Sequence, residues 1–409
     1  MKRSAGSILF FIVILINSAS AQYQAALPFL AFPVSPDNAA MGSIGTALPA
    51  NDAYGFLYNP AKLGYQGQST NFSLQFYLRN AELGNGPFAI FHDNISSFGF
   101  NLGYNFEHLL KIPLSIGAGY VSTAFNSQDI IELQAFDQKD SYNAYALGIG
   151  FNYPVSFSAG ITYKSITSAL SGLSLKQNEG GEGAGAIDFG LFINVPVFDL
   201  IGQKILNNIS RDLSIVPSLD FSIGYSQSNI GSKVYYIDPA QADPLPRIAR
   251  AGYGISAGIR LPKGIYDIEL VHLDFGSEAE DYLIVRDSTG GTLPYQTFLG
   301  DISIGKNILG IKGDQNVYSH TGIKIGILES AEYMRGHISG PFGLQKTDGW
   351  GFRLKGLFTF LADQRTNAAM NFVADHIDLR YYNTRYLIDT YQAVSYSGIE
   401  LTFSNFIFD

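Results

Sequence analysis

Large apolar side chains recur at every second position along many stretches of this chain, with Gly, Ser, Asn or Ala between them. Residues 98–106 (FGFNLGYNF) and 145–153 (YALGIGFNY) are two such stretches. A period of two predicts a β-strand with one apolar face. A soluble β-sandwich also alternates, but its other face is expected to be mostly charged. Here that face carries small and neutral residues, which favours strands whose apolar face meets lipid.

The N-terminus has the features of a secretory signal peptide. Lys2 and Arg3 precede an apolar core, Ile8 to Ile16, and Ala19-Ser20-Ala21 is a small-residue cleavage site. Nine apolar residues are too few to cross a bilayer as a helix. We therefore predict that residues 1–21 are removed after export and that the mature chain begins at Gln22.

Composition narrows the function classes. Charged residues make up 15% of the chain, against about 25% in soluble domains. The formal net charge is −9 without basic clusters, which argues against nucleic acid as a partner. The chain contains no Cys, which excludes disulfides, thiolate metal sites and a Cys nucleophile.

These observations predict an all-β fold: a 14-stranded antiparallel transmembrane β-barrel in the outer membrane of a Gram-negative cell, with outer-membrane lipid around it. Residues 22–66, rich in Ala, Pro and Gly, are predicted to form an N-terminal plug or hatch, and residues 67–409 the barrel. The predicted strands are 69–79, 97–107, 112–124, 142–153, 155–166, 184–195, 217–227, 247–260, 265–275, 317–328, 331–340, 348–361, 375–383 and 393–406.

Predicted long and short connections alternate, as extracellular loops and periplasmic turns do in such barrels. The long ones are 80–96, 125–141, 167–183, 228–246 and 276–316. Residues 196–216 break the pattern, because a short turn is expected there. Phe198, Ile201, Ile205 and Ile209 have helical spacing, so a short amphipathic helix and a packed turn both remain open.

No catalytic, cofactor or metal site is predicted. The six His are scattered without ligand spacing. The Gly-rich stretch 180–185 lacks the Lys-Ser/Thr end of a phosphate-binding loop. Asp267 and Glu269, with Arg260 nearby, are interpreted as charges paired across the lumen wall. We expect a protein that is not an enzyme, although an outer-membrane esterase or protease barrel is an alternative.

Three motifs carry a resemblance to a known family. The first contains Met41 and Gly42 after Ala40, then Asp52, and then Asn59, Pro60 and Ala61. The second is the turn with Asn229, Gly231 and Lys233, and the third is Leu245 and Pro246 followed by Arg250. On physical grounds the first motif indicates a tightly packed plug with an Asn-Pro turn. Together the motifs resemble the PorV/PorQ family, a branch of the FadL-like outer-membrane barrels.

The resemblance implies a function in type IX protein secretion. PorV-like proteins receive exported cargo, recognise its C-terminal domain, and pass it to a surface sortase complex. Cargo C-terminal domains and translocon or sortase subunits would then be the partners, bound through extracellular loops. The alternative is a FadL-like channel for hydrophobic small molecules, and a purely structural barrel is a third reading. A channel needs an apolar pocket and an exit, whereas a cargo carrier needs loops with exposed apolar residues.

Overall fold

The fold is described from a computed structural model of the chain. The structure describes residues 25–49, 52–78, 81–83, 93–131, 134–170, 173–177, 183–201, 215–263, 266–285, 294–341, 343–364, 368–387 and 393–404. The predicted signal peptide, residues 1–21, and residues 180–182 of the Gly-rich stretch 180–185 lie outside these ranges.

Fourteen long strands form a closed antiparallel barrel, which confirms the predicted fold class. Each strand pairs with its neighbours in the sequence, and β1 pairs with both β2 and β14, so the sheet closes on itself. The strands are β1 Asn71–Tyr77, β2 Asp93–Asn105, β3 Leu114–Ile131, β4 Gln134–Asn152, β5 Ser156–Leu170, β6 Ala184–Pro196, β7 Val216–Gly231, β8 Ile248–Lys263, β9 Tyr266–Tyr282, β10 Val317–Ile327, β11 Ala331–Gly340, β12 Gly343–Arg353, β13 Ile377–Leu387 and β14 Ala393–Ser404.

Shorter elements decorate this barrel. Short strands are described at Ala81–Leu83, Leu173–Ser174, Lys176–Gln177 and Val234–Tyr235. Helical elements are described at Pro28–Ala31, Pro36–Ala40, Gly55–Leu57, Lys62–Gln66, Gly67–Ser69, Glu107–Leu110, Val197–Ile201, Pro239–Gln241, Ile304–Leu309, Lys355–Gln364 and Ala368–His376. Among the described residues, no helix is long and apolar enough to cross a membrane.

The outer surface of the barrel is apolar. Leu147 is 59% exposed and Ile161 is 51% exposed, although both lie in the middle of long strands. On the same face, rings of Phe72, Phe100, Tyr120 and Tyr145 follow one another across neighbouring strands. Exposed apolar residues around a closed sheet are those of an outer-membrane barrel, because lipid and not water covers them.

The connections orient the barrel in the membrane. Most turns at one end are short, including 153–155 and 328–330, and this is the periplasmic end. The connections 78–92, 171–183, 232–247 and 283–316 at the other, extracellular end are long, although 197–215 and 354–376 are long connections at the periplasmic end. The chain therefore enters β1 from the periplasmic side and leaves β14 on the same side.

Two predicted connections are structured differently. The predicted loop 125–141 is mostly strand, because β3 and β4 pair as far as Ile131 and Gln134. The pairing continues beyond the lipid-facing residues, where apolar alternation is not required and the sequence pattern fades. The predicted helix or turn at 196–216 begins with the helix Val197–Ile201, and residues 202–214 lie outside the described ranges.

The predicted strands 348–361 and 375–383 are wrong at the ends that face each other. β12 ends at Arg353, and two helices, Lys355–Gln364 and Ala368–His376, precede β13. The first helix carries Leu357, Phe358, Phe360 and Leu361 at positions i, i+1, i+3 and i+4. That spacing places apolar residues along one side of a helix, and a short apolar run does not distinguish it from a strand.

Candidate functional site

Residues 25–49 and 52–70, called here the N-terminal segment, lie inside the barrel. Many of their side chains are fully buried, including Tyr54, Phe56 and Lys62. The segment begins at the extracellular end, where the Ala26 amide donates to the Pro244 carbonyl at 2.9 Å. It ends at the periplasmic end, where β1 starts at Asn71.

Wall glycines form the surface on which the segment lies. Each of these glycines faces inward at a place where a Cβ would contact or overlap the segment. The wall glycines and the segment residues nearest to them are Gly349 with Ala40, Gly336 with Gly42, Gly322 with Met41, Gly276 with Ile44, Gly254 with Leu48, Gly224 with Thr46, Gly190 with Asn59, Gly160 with Pro60, Gly148 with Gly64, Gly117 with Leu63 and Gly103 with Gly67. The segment thus winds around the inner wall from β12 to β2, so the small residues of the strands are a packing surface rather than an open lumen.

Polar wall side chains hold the segment through its backbone. The Glu278 carboxylate on β9 accepts hydrogen bonds from the amides of Gly45, Thr46 and Ala47 at 3.0, 2.6 and 2.8 Å. The Thr347 hydroxyl on β12 donates to the Ala40 carbonyl at 2.7 Å and accepts from the Gly42 amide. These bonds satisfy backbone groups that have no water around them, which fixes the segment against the wall.

The first sequence motif lies wholly within this segment. Met41 and Gly42 follow the helix Pro36–Ala40, whose N-cap Ser35 donates to the Asp52 carboxylate at 2.6 Å. The Asn59 side chain donates to the carbonyls of Thr46 and Leu191, both at 2.9 Å, and so joins two turns of the segment to the wall. Pro60 and Ala61 continue from Asn59 beside wall glycines.

The second and third motifs meet at one place in the wall. Asn229 accepts a hydrogen bond from the Lys164 ammonium at 2.8 Å, and its side chain donates to the Pro246 carbonyl at 2.9 Å. Its amide donates to Asp188, which also pairs with Lys164 at 2.8 Å. Leu245 packs near Gly231. Lys233 lies in the loop after β7, partly exposed.

Asn229 also marks an irregularity in the sheet. β7 pairs Gln227 with Phe189 and then Ile230 with Ile187, so Ser228 and Asn229 together oppose Asp188. This is a β-bulge, and Asn229 has a positive φ of 59°, which Asn tolerates better than most residues. The wall is thus bent where the two motifs meet.

Arg250 of the third motif connects the wall to the N-terminal segment. Its guanidinium donates to the Ser43 carbonyl at 2.9 Å and lies 5.0 Å from the ring centre of Tyr58. It also pairs with Glu280 of β9. The structure therefore brings Arg250 together with the first motif, and Asn229 with Pro246, although these residues are far apart in the sequence.

The extracellular half of the lumen, called here the upper chamber, is apolar and filled. Leu27, Phe29, Leu30 and Val34 of the segment are buried there. The wall and loop residues of the same apolar cluster are Val121, Tyr142, Ala144, Ala146, Ile166, Leu175, Ala184, Ala186, Val234 and Leu245. A cavity of about 40 Å³ remains, and its lining includes Leu30, Tyr142, Ser228 and Asn229.

The periplasmic half, called here the lower cavity, is charged. Its volume is about 560 Å³. The carboxylates that line it are Asp37, Asp52, Asp220, Glu269, Asp274, Glu329, Glu332, Asp375, Asp378 and Glu400, and the cationic residues are Arg260, Lys324, Arg353, Lys355 and Arg380. Acidic groups therefore outnumber basic ones, and the apolar pocket expected of a channel is not found in this half.

Ion pairs organise the lower cavity. Arg380 pairs with Asp37 of the segment at 2.5 Å and also with Glu332 of β11. Lys324 pairs with Asp274 at 2.9 Å. A carboxylate of the N-terminal segment is thus tied to the wall on the periplasmic side as well.

Two further ionisable groups are buried within the segment itself. Burial lowers the pKa of Lys62 to about 8, and the nearby Asp52 acts in the opposite direction. Burial, and next the charge of Asp37, raise the pKa of Asp52. Both shifts favour neutral forms of these groups, as expected where water is excluded.

His272 is a residue that sequence reasoning missed. Its two ring nitrogens lie 3.1 Å from Glu269 and 2.9 Å from Asp274 in the lower cavity. These residues lie close together on one strand, which was a usable signal. However, the β-bulge opposite Ile259 and Arg260 breaks the alternation of β9, so strict alternation places Glu269 and His272 on opposite faces. Arg260 lines the same cavity, whereas the side chain of Asp267 lies outside the described residues. Among the described residues, no group of three or more His, Asp and Glu is arranged to hold a metal ion.

Comparisons with known proteins gave structural likenesses only. No family model and no curated protein matches the sequence. A monoaromatic hydrocarbon channel, the TodX deltaS2S3 mutant, shares 10% identity over 92% of this chain and 100% of its own, with a TM-score of 0.45. A Pseudomonas aeruginosa FadL homologue shares 9% identity over 90% of this chain and 96% of its own, with a TM-score of 0.42. The transport unit of the Escherichia coli autotransporter AIDA-I has a TM-score of 0.32 at 11% identity, over 83% of this chain and 91% of its own. Because all three TM-scores are below 0.5, the barrel fold is assigned from the strand pairing of this chain and not from these likenesses.

Proposed function

We propose that this protein is an outer-membrane channel for hydrophobic small molecules, with the N-terminal segment as its hatch. The observation that carries the proposal is the upper chamber. It is an apolar, aromatic space inside the barrel, and the chain's own residues Leu27, Phe29, Leu30 and Val34 occupy it. Displacement of these residues would leave an apolar pocket that opens toward the extracellular side.

The wall beside the upper chamber supports an exit for such a molecule. The cavity of about 40 Å³ reaches the β-bulge at Ser228 and Asn229. A bulge loosens strand pairing locally. A hydrophobic molecule in the chamber would leave sideways into the membrane there, past the single Lys164–Asp188 ion pair, because the lower cavity with its many charged residues is a less favourable route.

A reversible lock tests this function. A Cβ at Gly349 would lie 2.7 Å from the Ala40 Cβ, and a disulfide needs about 3.5–4.5 Å, so a shift of about 1 Å of the segment accommodates the bridge. The chain contains no Cys, so the double variant Ala40→Cys/Gly349→Cys has one possible pair. The readout is uptake of radiolabelled laurate by intact Gram-negative cells that produce the protein.

We expect the oxidised double variant to lose the uptake that the protein confers, and reductant to restore it. Each single variant, Ala40→Cys or Gly349→Cys, controls for damage by the substitution and should not respond to reductant. Uptake that is equal in the oxidised and reduced double variant would contradict a moving hatch.

A second function is favoured by a different observation. The extracellular connection before β10 exposes several apolar residues, among them Phe298, Ile304 and Leu309. Phe298 stacks on Tyr225 of the outer wall with ring centres 4.3 Å apart, so this connection is held in place. We propose as the second candidate a PorV-like role, in which this surface binds cargo C-terminal domains or secretion subunits.

Purification from native membranes separates the two proposals. Secretion or surface proteins that are retained by the wild type and lost in Phe298→Ser/Leu309→Ser would favour the PorV-like role. Unchanged laurate uptake in that double variant is expected if the channel proposal holds.

A further inference from the structure

A group of charged residues faces outward on β11, β12 and β13. The inward side of β12 is fixed by Thr347, which bonds to Ala40, and by Gly349, which lies against it. Lys346 and Asp348 alternate with these residues and therefore point away from the lumen. The strand pairing places Arg335, Asp348 and Arg385 side by side across three strands, and His337 beside Lys346. Arg335, Lys346 and Arg385 are called here the basic patch.

The basic patch has an excess of positive charge. Arg385 pairs with Asp348 at 2.9 Å, and both side chains are well exposed. Arg335 and Lys346 are exposed, and within the described part of the chain neither forms an ion pair. Three fixed cations thus face one carboxylate on an outer surface that is otherwise apolar at its centre.

Aromatic residues lie directly below the basic patch. Trp350, the single Trp of the chain, neighbours Tyr333 on β11 in the strand pairing, and Phe352 follows one row further toward the periplasm. Trp and Tyr concentrate where the hydrocarbon region meets the headgroups. Above the patch the strands end at the turn between Gly340 and Gly343. Above Tyr333 and Trp350 the outward residues of these strands are mostly charged or polar, so the patch lies at the extracellular edge of the apolar band of this wall.

The free-energy cost of a cation in the hydrocarbon region favours a position of the patch at the edge of the apolar band. A Lys or Arg on the lipid-facing side costs about 2–4 kcal/mol at the bilayer midplane and little near the interface. The opposite wall differs, because the first two outward residues of β4 above Tyr145, Asn143 and Ser141, are uncharged, and the first outward cation, Lys139, lies one row higher. The outward cations of β11, β12 and β13 therefore lie closer to the aromatic residues of their wall than Lys139 does on β4.

We propose that the basic patch binds the phosphate groups of a phosphorylated lipid of the outer leaflet. Arg335 and Arg385 supply planar, bidentate donors, and Lys346 supplies a point charge. Asp348 holds the Arg385 guanidinium in place. The acyl chains of the bound lipid lie along Trp350, Tyr333 and Phe352, so the site has both parts that such a lipid requires.

The test uses the purified full-length protein in detergent and diphosphoryl lipid A as the probe. The variant Arg335→Gln/Lys346→Gln/Arg385→Gln removes three cations that point away from the core. The matched control, Lys111→Gln/Lys139→Gln/Lys176→Gln, removes three exposed cations from other connections and the opposite wall.

We expect the basic-patch variant to bind diphosphoryl lipid A at least about tenfold more weakly, while the control stays close to wild type. Lipid A without phosphates should bind wild type as weakly as diphosphoryl lipid A binds the variant. Wild-type affinity in the basic-patch variant, or equal binding of both lipids, would overturn the proposal. The test is independent of the hatch and of laurate uptake.

Discussion

The two halves of the lumen differ in chemistry although one wall builds both. In the upper chamber the inward residues are apolar, as at Tyr142 and Ile166, and the N-terminal segment fills the space. In the lower cavity the inward residues are charged, as at Asp274 and Arg380, and a space of about 560 Å³ remains. The N-terminal segment is therefore held by apolar packing at its extracellular end and by ion pairs at its periplasmic end.

The boundary between the halves is made of glycines and one carboxylate. Gly322 and Gly336 allow the segment backbone to touch the wall, and Glu278 bonds to three successive amides. This contact between the segment backbone and the wall separates the upper chamber from the lower cavity. Changes at the boundary should therefore have larger effects than changes in the open lower cavity.

The largest effect is expected at Glu278. Glu278→Ala leaves the amides of Gly45, Thr46 and Ala47 buried without an acceptor, which costs about 4 kcal/mol because each lost partner costs about 1–3 kcal/mol. Urea unfolding in lipid vesicles measures the change. Glu269→Ala, in the partly exposed lower cavity, is the control and should cost less than about 1 kcal/mol. Equal losses would remove the distinction between boundary and cavity.

The next effect concerns the upper chamber. Phe29→Ala removes a ring that lies 6.1 Å from Tyr142 and 6.4 Å from Phe125, between centroids. Such a truncation costs about 3–5 kcal/mol in a packed core, and here it should loosen residues 26–34 first. Limited proteolysis from the extracellular side should then cut the N-terminal segment faster. An unchanged cutting rate would show that the chamber is not closed by packing.

Two glycines of one strand give a matched pair. Gly322 and Gly326 both face inward on β10, but a Cβ at Gly322 would overlap the Met41 carbonyl, whereas one at Gly326 would lie 3.5 Å from the His272 Cβ. Gly322→Ala should cost about 2 kcal/mol by overpacking. Gly326→Ala should be neutral or slightly stabilising. Urea unfolding of both variants in lipid vesicles measures their free energies of unfolding. A larger loss for Gly326→Ala than for Gly322→Ala would contradict the described path of the segment.

The smallest effect is a pH dependence that originates in the segment. The pKa of Lys62 is lowered to about 8 in the folded protein and is about 10.4 when unfolded. Between these values the unfolded chain binds more protons, so stability should rise with pH, by about 1 kcal/mol between about pH 7 and pH 9. Lys62→Met should abolish the rise. A rise that persists in Lys62→Met would assign it to another group.

The wall was predictable from the sequence, and the contents of the lumen were less so. All fourteen strands follow from alternation, because lipid on one side enforces it along each strand. Their extracellular ends, such as 125–131, do not alternate between apolar and small residues, because no lipid contacts them, and the sequence therefore did not predict them as strand. The helices before β13 were missed because short apolar runs fit both periods.

The chemistry of the lumen depends on contacts that alternation does not encode. Asp37, Glu332 and Arg380 meet only after the barrel has closed around the N-terminal segment. The same holds for Arg250 and Ser43. The motifs at Asn59 and Asn229 were visible in the sequence, but the carbonyls that they bind lie on distant strands.

Hydrogen–deuterium exchange of the amides of Gly45, Thr46 and Ala47 tests the central claim most directly. If the N-terminal segment is bonded to Glu278 inside the barrel, these amides should exchange as slowly as those of the wall strands in lipid nanodiscs. Glu278→Ala should accelerate them selectively. Exchange at the rate of an unstructured peptide in the wild type would contradict the account, because the segment would then not be held against the wall.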